Sequence, residues 1–361
     1  MIEKASKMTS SFKAISLIII VSAFMLGRLS MVEVSTSTFS EVSTFTLTPA
    51  TVVTSSSPVS QDYQLANDQS YGFFDDVTAE NWKINQEIYR GYSPHLNDEN
   101  PLEYVPGVSK FQIHYLNSPQ AFYQCNYEPS FSCPFERRVG RNGNGDGPKW
   151  VCDPHRLTRI AAERKKANPE RAGCLIYSVG SNGHYEFEVG MQKLLGSDVC
   201  EIHIFDFGDF EARMPKGLNL HYHRWGLGKS VEGEIERPEI GNPEEGNQFH
   251  SLPQTVKMLG HEEYPAIDIF KIDCEKCEWK TFNDWFASNI PMMTQILVET
   301  HGSPAGSVLP FFDGLIDNGY SMFHKEPNIQ YARGDCIEFA YIKLHEDFYV
   351  TKNEEENEDE S

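Results

Sequence analysis

From residue 174 onward, short apolar runs alternate with stretches in which apolar residues recur at helical spacing. The apolar runs predict strands at residues 174–180, 201–207, 218–225, 266–273 and 295–300. Helical spacing predicts helices at residues 185–195, 252–260, 278–288 and 308–319, preceded by one at 153–167 that Asp153 would cap. This alternation predicts an α/β fold with a doubly wound, mostly parallel sheet. The last two strands, 320–326 and 336–344, have no long helix between them and predict an antiparallel pair at one edge.

Polar residues follow the apolar part of four predicted strands. The first strand runs into a glycine turn, GSNG at residues 180–183, and the next strand reaches Asp206. Asp273 ends the strand at 266–273, and Glu299 with His301 follows the strand at 295–300. Ligands of open α/β sheets bind at the carboxyl ends of the strands, so these residues predict a cleft there. A polar, solvated rim is the alternative explanation.

The glycine turn and Asp206 together suit a nucleotide-like ligand. A turn without bulky side chains lets backbone N–H groups approach a ligand. A carboxylate on the following strand could accept hydrogen bonds from both ribose hydroxyls. The dinucleotide fingerprint G-x-G-x-x-G lacks its second glycine here, where the sequence reads GSNGHY. This departure disfavours a cofactor with a pyrophosphate.

Several strings in this part of the chain resemble one family. SVGSNGHYEFE, IFDF, FKIDCEKCEW and ILVETHG, in this order, resemble the methyltransferase-like protein 24 type domain, a branch near the FkbM-type methyltransferases. HKEPN and GDCIEFAYIKL are similar to its final strands, and GDGPKWVCDP to the segment ahead of its fold. The resemblance covers roughly residues 125–344, which is most of the part of the chain predicted to be ordered, and Lys276 stands where FkbM-type proteins usually have glycine. It implies a Rossmann-like class I methyltransferase fold that binds S-adenosylmethionine.

The resemblance also implies which residues hold the cofactor. The glycine turn would hold the methionine part and Asp206 the ribose. Glu188 would contact the cofactor or cap its own helix. Trp225 and Gly226 could border the adenine, although core packing explains Trp225 at least as well. The predicted cofactor-binding residues are Gly180, Ser181, Asn182, Gly183, Glu188, Asp206 and Gly226.

Methyl transfer from a sulfonium is an in-line displacement, which needs an aligned acceptor and a group that removes its proton. The predicted catalytic residues are Asp273, Glu275, Glu299 and His301. Asp273 is the first candidate because it ends the central strand. A helix N-terminus stabilised by negative charge explains Glu275 equally well and Glu278 better. A structural hydrogen bond explains His301 as well as acid–base chemistry does.

No metal ligands are predicted. His221 and His223 share one face of a strand and could bind a metal, but the sequence places no third ligand beside them. Hydrogen-bonded histidines of a buried face are the favoured explanation, and a divalent cation is possible but not predicted.

Cys274 and Cys277 form a CxxC between a predicted strand and helix. Acidic neighbours disfavour a reactive thiolate, and the sequence has no second CxxC to complete a zinc site. The spacing favours two small, partly buried residues at a turn, which could bond to each other in an oxidising compartment. There, some of Cys125, Cys133 and Cys152 could also pair, with a connectivity that spacing does not reveal.

The N-terminal region has a different composition. Lysines precede an apolar run at residues 14–27, which is short for a membrane span and typical of a signal-peptide core. Continued past Arg28, the run predicts a signal anchor in residues 1–34, narrowly favoured over a cleaved peptide. Residues 35–70 are rich in Ser and Thr and predict a disordered stalk, whereas residues 351–361 predict a disordered acidic tail. An N-terminal extension with cysteines at 71–170 and a methyltransferase-like domain at 171–350 lie between.

This layout is typical of a single-pass membrane protein with a lumenal domain in the Golgi or endoplasmic reticulum, or of a secreted protein if the segment is cleaved. The net charge of −21 and the lack of a basic stripe exclude a nucleic-acid partner. The favoured function is methyl transfer to a hydroxyl or amine of a small molecule, glycan or protein. One alternative is a lumenal binding domain without catalysis. Another is a Golgi glycosyltransferase-like enzyme, whose D-x-D motif is only D-x-E here.

Overall fold

A computed structural model describes residues 62–91, 119–140, 147–231, 234–236, 248–304 and 306–350. They all belong to one unit, residues 60–361. The predicted signal anchor, the acidic tail after residue 350 and most of the predicted stalk lie outside the described residues. The predicted domain boundaries stay predictions. Among the helices of the described ranges, none is both long and apolar enough to cross a membrane.

Helices and strands alternate along the described part of the chain. The helices are α1 (Gln64–Gln69), α2 (Ala79–Arg90), α3 (Pro119–Cys125), α4 (Pro154–Ala167), α5 (Glu186–Leu195), α6 (Leu252–Leu259), α7 (Cys277–Thr281), α8 (Val308–Asp317) and α9 (Ile329–Ala332). The strands are β1 (Glu136–Val139), β2 (Lys149–Cys152), β3 (Cys174–Val179), β4 (Cys200–Phe205), β5 (Leu220–His223), β6 (Trp225–Leu227), β7 (Lys229–Val231), β8 (Glu234–Glu236), β9 (Gln248–His250), β10 (Ile267–Ile272), β11 (Met293–His301), β12 (Tyr320–Pro327) and β13 (Cys336–Lys343). Helix α1 lies within residues 35–70, so the last part of that segment is helical.

Seven strands form one sheet in the order β12-β13-β11-β10-β3-β4-β5. The pairs from β11 through β10, β3 and β4 to β5 are parallel. Strand β13 runs antiparallel to both β11 and β12. This arrangement confirms the predicted mostly parallel sheet and the antiparallel pair at its edge. The strand order reverses between β3 and β10, which is where ligands of such sheets bind.

Helices cover both faces of this sheet. Strands β3, β10 and β11 are buried along their whole length, which explains their continuous apolar sequence. On one face, Val256 of α6 and Phe311 of α8 join the apolar core. On the other face, Trp82 of α2, Leu157 of α4 and Met191 of α5 form a second core. The sheet is therefore doubly wound, and its strand ends are held by packing from both sides.

Three predicted elements differ from the structure. The strand predicted at 218–225 divides, because β5 pairs with β4 whereas β6 pairs with β9 in a separate sheet. The helix predicted at 278–288 is α7 followed by a 3₁₀ helix, Phe282–Phe286. The cap predicted for α4 is wrong, since the side chain of Asp153 makes no capping bond. Its carboxylate instead accepts hydrogen bonds from the Phe135 amide at 2.6 Å and Arg156 Nε at 2.7 Å.

Three disulfides join described cysteines. Cys133 bonds Cys152, so two of the three early cysteines pair. Cys274 bonds Cys277, as the favoured explanation of the CxxC predicted. The third bond, Cys174–Cys200, was not predicted, and it joins the first residues of two strands that pair in register. Cys336 is the free cysteine among the described side chains.

Candidate functional site

A cavity of about 560 Å³ lies at the carboxyl ends of β3, β4 and β10. This volume falls within the range of small-molecule sites, about 300–1,000 Å³. Eight of the eleven predicted site residues line it: Gly180, Ser181, Asn182, Glu188, Asp206, Gly226, Asp273 and Glu275. Gly183, Glu299 and His301 do not line it, although each lies next to residues that do.

Gly180 is required by the packing of the turn after β3. Its φ of +76° lies in the left-handed region, and a Cβ there would come within 1.7 Å of the Asp273 carbonyl oxygen. The Gly180 amide donates to the Phe205 carbonyl at 2.9 Å, and Lys271 Nζ donates to the Gly180 carbonyl at 2.6 Å. The turn is thus fixed to the ends of β4 and β10, the two strands flanking β3. Gly183, with φ of +74°, closes the turn.

Asp206 holds the glycine turn from the end of β4. Its Oδ2 accepts hydrogen bonds from the amides of Ser181 at 2.9 Å and Asn182 at 2.7 Å. Its Oδ1 accepts one from the Gly208 amide at 2.9 Å. The two turn amides therefore point at a protein carboxylate, where the sequence suggested that they would meet a ligand. Oδ1 accepts only this one bond from described residues and retains the capacity to accept a second.

Glu188 brings a buried carboxylate to the cavity from the first turn of α5. The residue is 1% exposed. Its Oε1 accepts a short hydrogen bond from Ser178 Oγ. Its Oε2 has no hydrogen-bond partner among the described residues. A buried carboxylate oxygen left unpaired is costly, so a cationic or N–H-bearing ligand group at this point would stabilise the site.

Gly226 lies on β6 where the cavity meets an aromatic ring. A Cβ at this position would come within 2.8 Å of the Phe249 ring, so only glycine fits. The neighbouring Trp225 packs against Phe205 and His223, with ring centroids 5.9 and 4.6 Å away. Trp225 thus belongs to the core, and Gly226 with Leu227 forms this wall of the cavity.

Lys149 of β2 is the site residue that sequence reasoning missed, together with Glu338 of β13. The Lys149 side chain is 1% exposed, and its Nζ lies 3.1 Å from Asp273 Oδ2, 3.3 Å from Glu299 Oε2 and 2.5 Å from Glu338 Oε1. We call these four residues the lysine cluster. The string GDGPKWVCDP, which carries part of the family resemblance, contains Lys149 and was the one signal that could have found it.

The lysine cluster contains more carboxylates than one cation can neutralise. Burial opposes the charge of Lys149, but the three carboxylates outweigh it and hold the lysine pKa well above its usual range. Burial also opposes ionisation of Asp273, but Lys149, Lys271 and His301 hold its pKa well below the usual range. At Glu338, burial and the neighbouring carboxylates outweigh Lys149 and raise the pKa well above its usual range. Asp273 is therefore ionised at neutral pH, and it is the member of the lysine cluster that lines the cavity.

His301 forms a buried pair with Glu278. Its Nδ1 lies 3.1 Å from Glu278 Oε1, which also accepts from the His301 amide at 2.8 Å. Its Nε2 lies 3.7 Å from both Asp273 Oδ1 and Glu275 Oε2. Burial disfavours the imidazolium, but the bond to Glu278 and the nearby carboxylates raise the pKa of His301 to about 9. His301 is thus a cation at neutral pH and positions Asp273, whereas the sequence had also allowed it acid–base chemistry.

Glu275 lies at the mouth of the cavity. Its side chain is 75% exposed, and both Glu275 and Lys276 have left-handed φ, +54° and +82°. Glycine usually occupies such a conformation, as in FkbM-type proteins at the position of Lys276. The Cys274–Cys277 disulfide closes this turn and holds it in place. Glu299 lies deeper, 3% exposed, between Lys149 and Asn328 Nδ2.

Comparison with known proteins agrees with this architecture. A family model described as a methyltransferase domain matches residues 64–343, which is more than half of the chain. The chain therefore belongs to this methyltransferase domain family, and the resemblance found in the sequence is confirmed. A search of curated proteins returns no match to the chain.

Proposed function

We propose that this protein is an S-adenosylmethionine-dependent methyltransferase that binds its cofactor in the cavity at the ends of β3, β4 and β10. The observation that carries the proposal is the buried Oε2 of Glu188, which lacks a hydrogen-bond partner among the described residues and lies beside the turn that Asp206 holds. The reversal of strand order at this cavity and the antiparallel β13 support a Rossmann-like class I fold. Membership of a methyltransferase domain family supports the reaction class.

The residues of the cavity fit this cofactor. Oδ1 of Asp206 can accept a hydrogen bond from a ribose hydroxyl, and Oε2 of Glu188 can accept one from the methionine ammonium. Gly226 leaves a flat wall for the adenine. The cavity lining includes Lys271 but is mostly acidic, and its negative charge favours a ligand with a sulfonium and an ammonium. Its acidic residues are Glu186, Glu188, Asp206, Asp273 and Glu275.

When bound, the cofactor supplies an electrophilic methyl group, and the protein must present an acceptor to it. Asp273 is ionised and lies on the cavity wall. Lys149 and His301 fix its position. We infer that Asp273 orients a hydroxyl or amine acceptor by accepting its hydrogen bond and stabilises the positive charge that an amine gains. Its low pKa makes Asp273 a weak proton acceptor, so orientation is its principal role.

We propose a small molecule, a glycan or a protein as the acceptor, and a lumenal or secreted location for the domain. Three disulfides support an oxidising compartment. The membrane contact would come from the apolar run at residues 14–27.

A binding domain that keeps the fold without catalysis is the second candidate. It is favoured by the low pKa of Asp273 and by the charge of His301, since neither group is suited to remove a proton at neutral pH. A glycosyltransferase is less well supported. Asp273, the first residue of its D-x-E motif, is ion-paired with Lys149 rather than open to a metal.

Calorimetry on the purified full-length protein separates these functions. We expect S-adenosylmethionine to bind with one site per chain and a UDP-sugar not to bind. Labelled methyl transfer into a fractionated cell extract then tests catalysis, and we expect Asp273→Asn to lower the rate at least about tenfold. Lack of cofactor binding would overturn the proposal. Binding with no labelled product in any fraction would favour the non-catalytic domain.

A further inference from the structure

A second group of polar side chains lies on one face of β4, apart from the cavity. Glu201 and His203 lie two residues apart on β4 and so share one face, and His261 follows α6 in the loop that leads to β10. We call these three residues the histidine cluster. Both histidines are buried, 6% and 7% exposed, and none of the three lines the cavity. The ring of Phe205, which does line the cavity, stacks against His203 at 6.5 Å.

The three side chains converge at one point. Oε1 of Glu201 lies 3.8 Å from Nε2 of His203 and 3.8 Å from Nε2 of His261. All three atoms lie within 4.8 Å of one another. Ligand atoms around a tetrahedral zinc ion are about 3.3–3.4 Å apart, given zinc–nitrogen and zinc–oxygen bonds of about 2.0–2.2 Å. Shortening the two 3.8 Å distances by about half an ångström would bring Glu201 to that spacing from both histidines.

Nε2 of His203 is buried and has no hydrogen-bond partner among the described residues. A distance of 3.8 Å to Glu201 is too long for a hydrogen bond. If this nitrogen carries a proton, a buried N–H is unsatisfied, and if it carries a lone pair, the lone pair faces a carboxylate. A metal ion resolves both situations, because it accepts the lone pair and neutralises the carboxylate.

In both histidines, the ring nitrogen opposite the convergence point has a hydrogen-bond partner, as it has in histidines that bind metals. Nδ1 of His203 lies 2.8 Å from Nε2 of His223, and Nδ1 of His261 lies 2.7 Å from the Tyr177 hydroxyl. These partners can accept the Nδ1 protons and so direct both Nε2 lone pairs to the convergence point. Tyr264 donates a hydrogen bond to Oε1 of Glu201. The ring orientations and the carboxylate are thus set before any ion arrives.

We propose that Glu201, His203 and His261 bind one zinc ion, with water in the fourth position. Two imidazole nitrogens and one carboxylate oxygen form a ligand set that suits zinc. The site joins β4 to the loop between α6 and β10, so the bound ion stabilises the sheet beside the cavity. Sequence reasoning weighed His221 and His223 as ligands, but in the structure His223 supports His203, and His221 bonds Asn219 at 2.9 Å.

The test uses the purified full-length protein, loaded with zinc at micromolar free concentration and dialysed. We expect about one equivalent of zinc in the wild type, measured by mass spectrometry of the metal, and a higher melting temperature with zinc than after chelation. His203→Ala and Glu201→Gln are expected to lose at least about nine-tenths of the zinc. His221→Ala, an exposed histidine stacked 4.7 Å from His203, is the matched control and is expected to keep it.

Cobalt substitution of the wild type gives a result that does not depend on whether a variant folds. We expect visible bands of a nitrogen and oxygen ligand set without a sulfur-to-cobalt charge-transfer band. A sulfur band would place the ion at Glu299, His301 and Cys336, another convergent group among the described residues, and would overturn the proposal. The proposal also fails if the wild type takes up no zinc, or if His203→Ala retains as much zinc as the wild type.

Discussion

The lysine cluster and the histidine cluster are both buried and both combine basic residues with carboxylates, yet they differ in completeness. Lys149 donates hydrogen bonds to three carboxylates of the protein, and one buried oxygen of the lysine cluster, Oε2 of Glu338, has no hydrogen-bond partner among the described residues. In the histidine cluster, His203 turns a buried nitrogen toward a carboxylate that it does not reach. The difference teaches that a buried charge bonded directly to groups of the protein shapes a site, whereas a buried polar atom without such a bond can leave a position for a ligand.

Glu188 belongs to the second kind, although it lies in the cavity. One of its oxygens is bonded by Ser178, and the other has no hydrogen-bond partner among the described residues. The cavity therefore combines both kinds of group: the lysine cluster fixes its wall, and Glu188 leaves a position for a ligand. Breaking the lysine cluster is expected to lower stability, whereas changing Glu188 or the histidine cluster is expected to lower ligand binding.

Replacing Lys149 is expected to have the largest effect. Lys149→Met leaves Asp273, Glu299 and Glu338 buried without their cation, and the free energy of unfolding is expected to fall by about 3–5 kcal/mol. Urea unfolding measures this change. The matched control is Arg138→Met, which removes an ion pair to Glu326 with both side chains about one-third exposed, and its effect is expected to stay below about 1 kcal/mol. Equal effects of the two substitutions would contradict the importance of the lysine cluster.

The His301–Glu278 pair is expected to make stability depend on pH. The pKa of His301 is raised to about 9 in the folded protein, from its ordinary value of 6.5. Its contribution, about 3 kcal/mol, is fully present below pH 6.5 and is lost as the pH rises through about 9. Urea midpoints between pH 6 and 9.5 check the decline.

In His301→Gln this part of the decline is expected to disappear. His184→Gln, in which an exposed histidine (side chain 72% exposed) is changed, serves as its control and is expected to keep the wild-type decline. A decline of the same size in both variants would show that other groups cause the pH dependence.

Two of the disulfides are expected to differ in their contribution to stability by a smaller amount. Cys133–Cys152 closes a loop with a sequence separation of 19 residues, and Cys274–Cys277 one with a separation of 3. Loop-closure entropy predicts losses of about 3 and about 2 kcal/mol when each pair is changed to alanines. Thermal unfolding of the two double variants measures the difference. If removal of Cys274–Cys277 costs more, the disulfide also restrains the left-handed turn at Glu275 and Lys276.

The sequence predicted the parts of the fold that depend on local patterns. Apolar runs located the strands of the main sheet, and their polar ends located Asp206 and Asp273, because residues at a strand end need only the sheet direction to be placed. Glu188 was found through the resemblance, and its helix position agrees with the structure. Each of these residues is close in sequence to the strand that positions it.

The remaining site residues depend on contacts that the sequence does not reveal. Lys149 and Glu338 are 189 residues apart, and Lys149 lies on a two-stranded sheet that no periodic pattern announced. The histidine cluster was easier to predict from the sequence, since Glu201 and His203 lie two residues apart on a predicted strand and share one face, as His221 and His223 do. The sequence does not reveal that the loop after α6 brings His261 close to β4, because this contact depends on the tertiary fold.

Cofactor binding by Glu188→Gln tests the central claim most directly. Equilibrium dialysis of the full-length protein with labelled S-adenosylmethionine is expected to show one site per chain in the wild type. The affinity of Glu188→Gln is expected to be at least about tenfold weaker, a loss of about 1.4 kcal/mol, while Glu211→Gln at an exposed position keeps the wild-type affinity. Lack of binding by the wild type, or equal affinity in Glu188→Gln, would contradict the account.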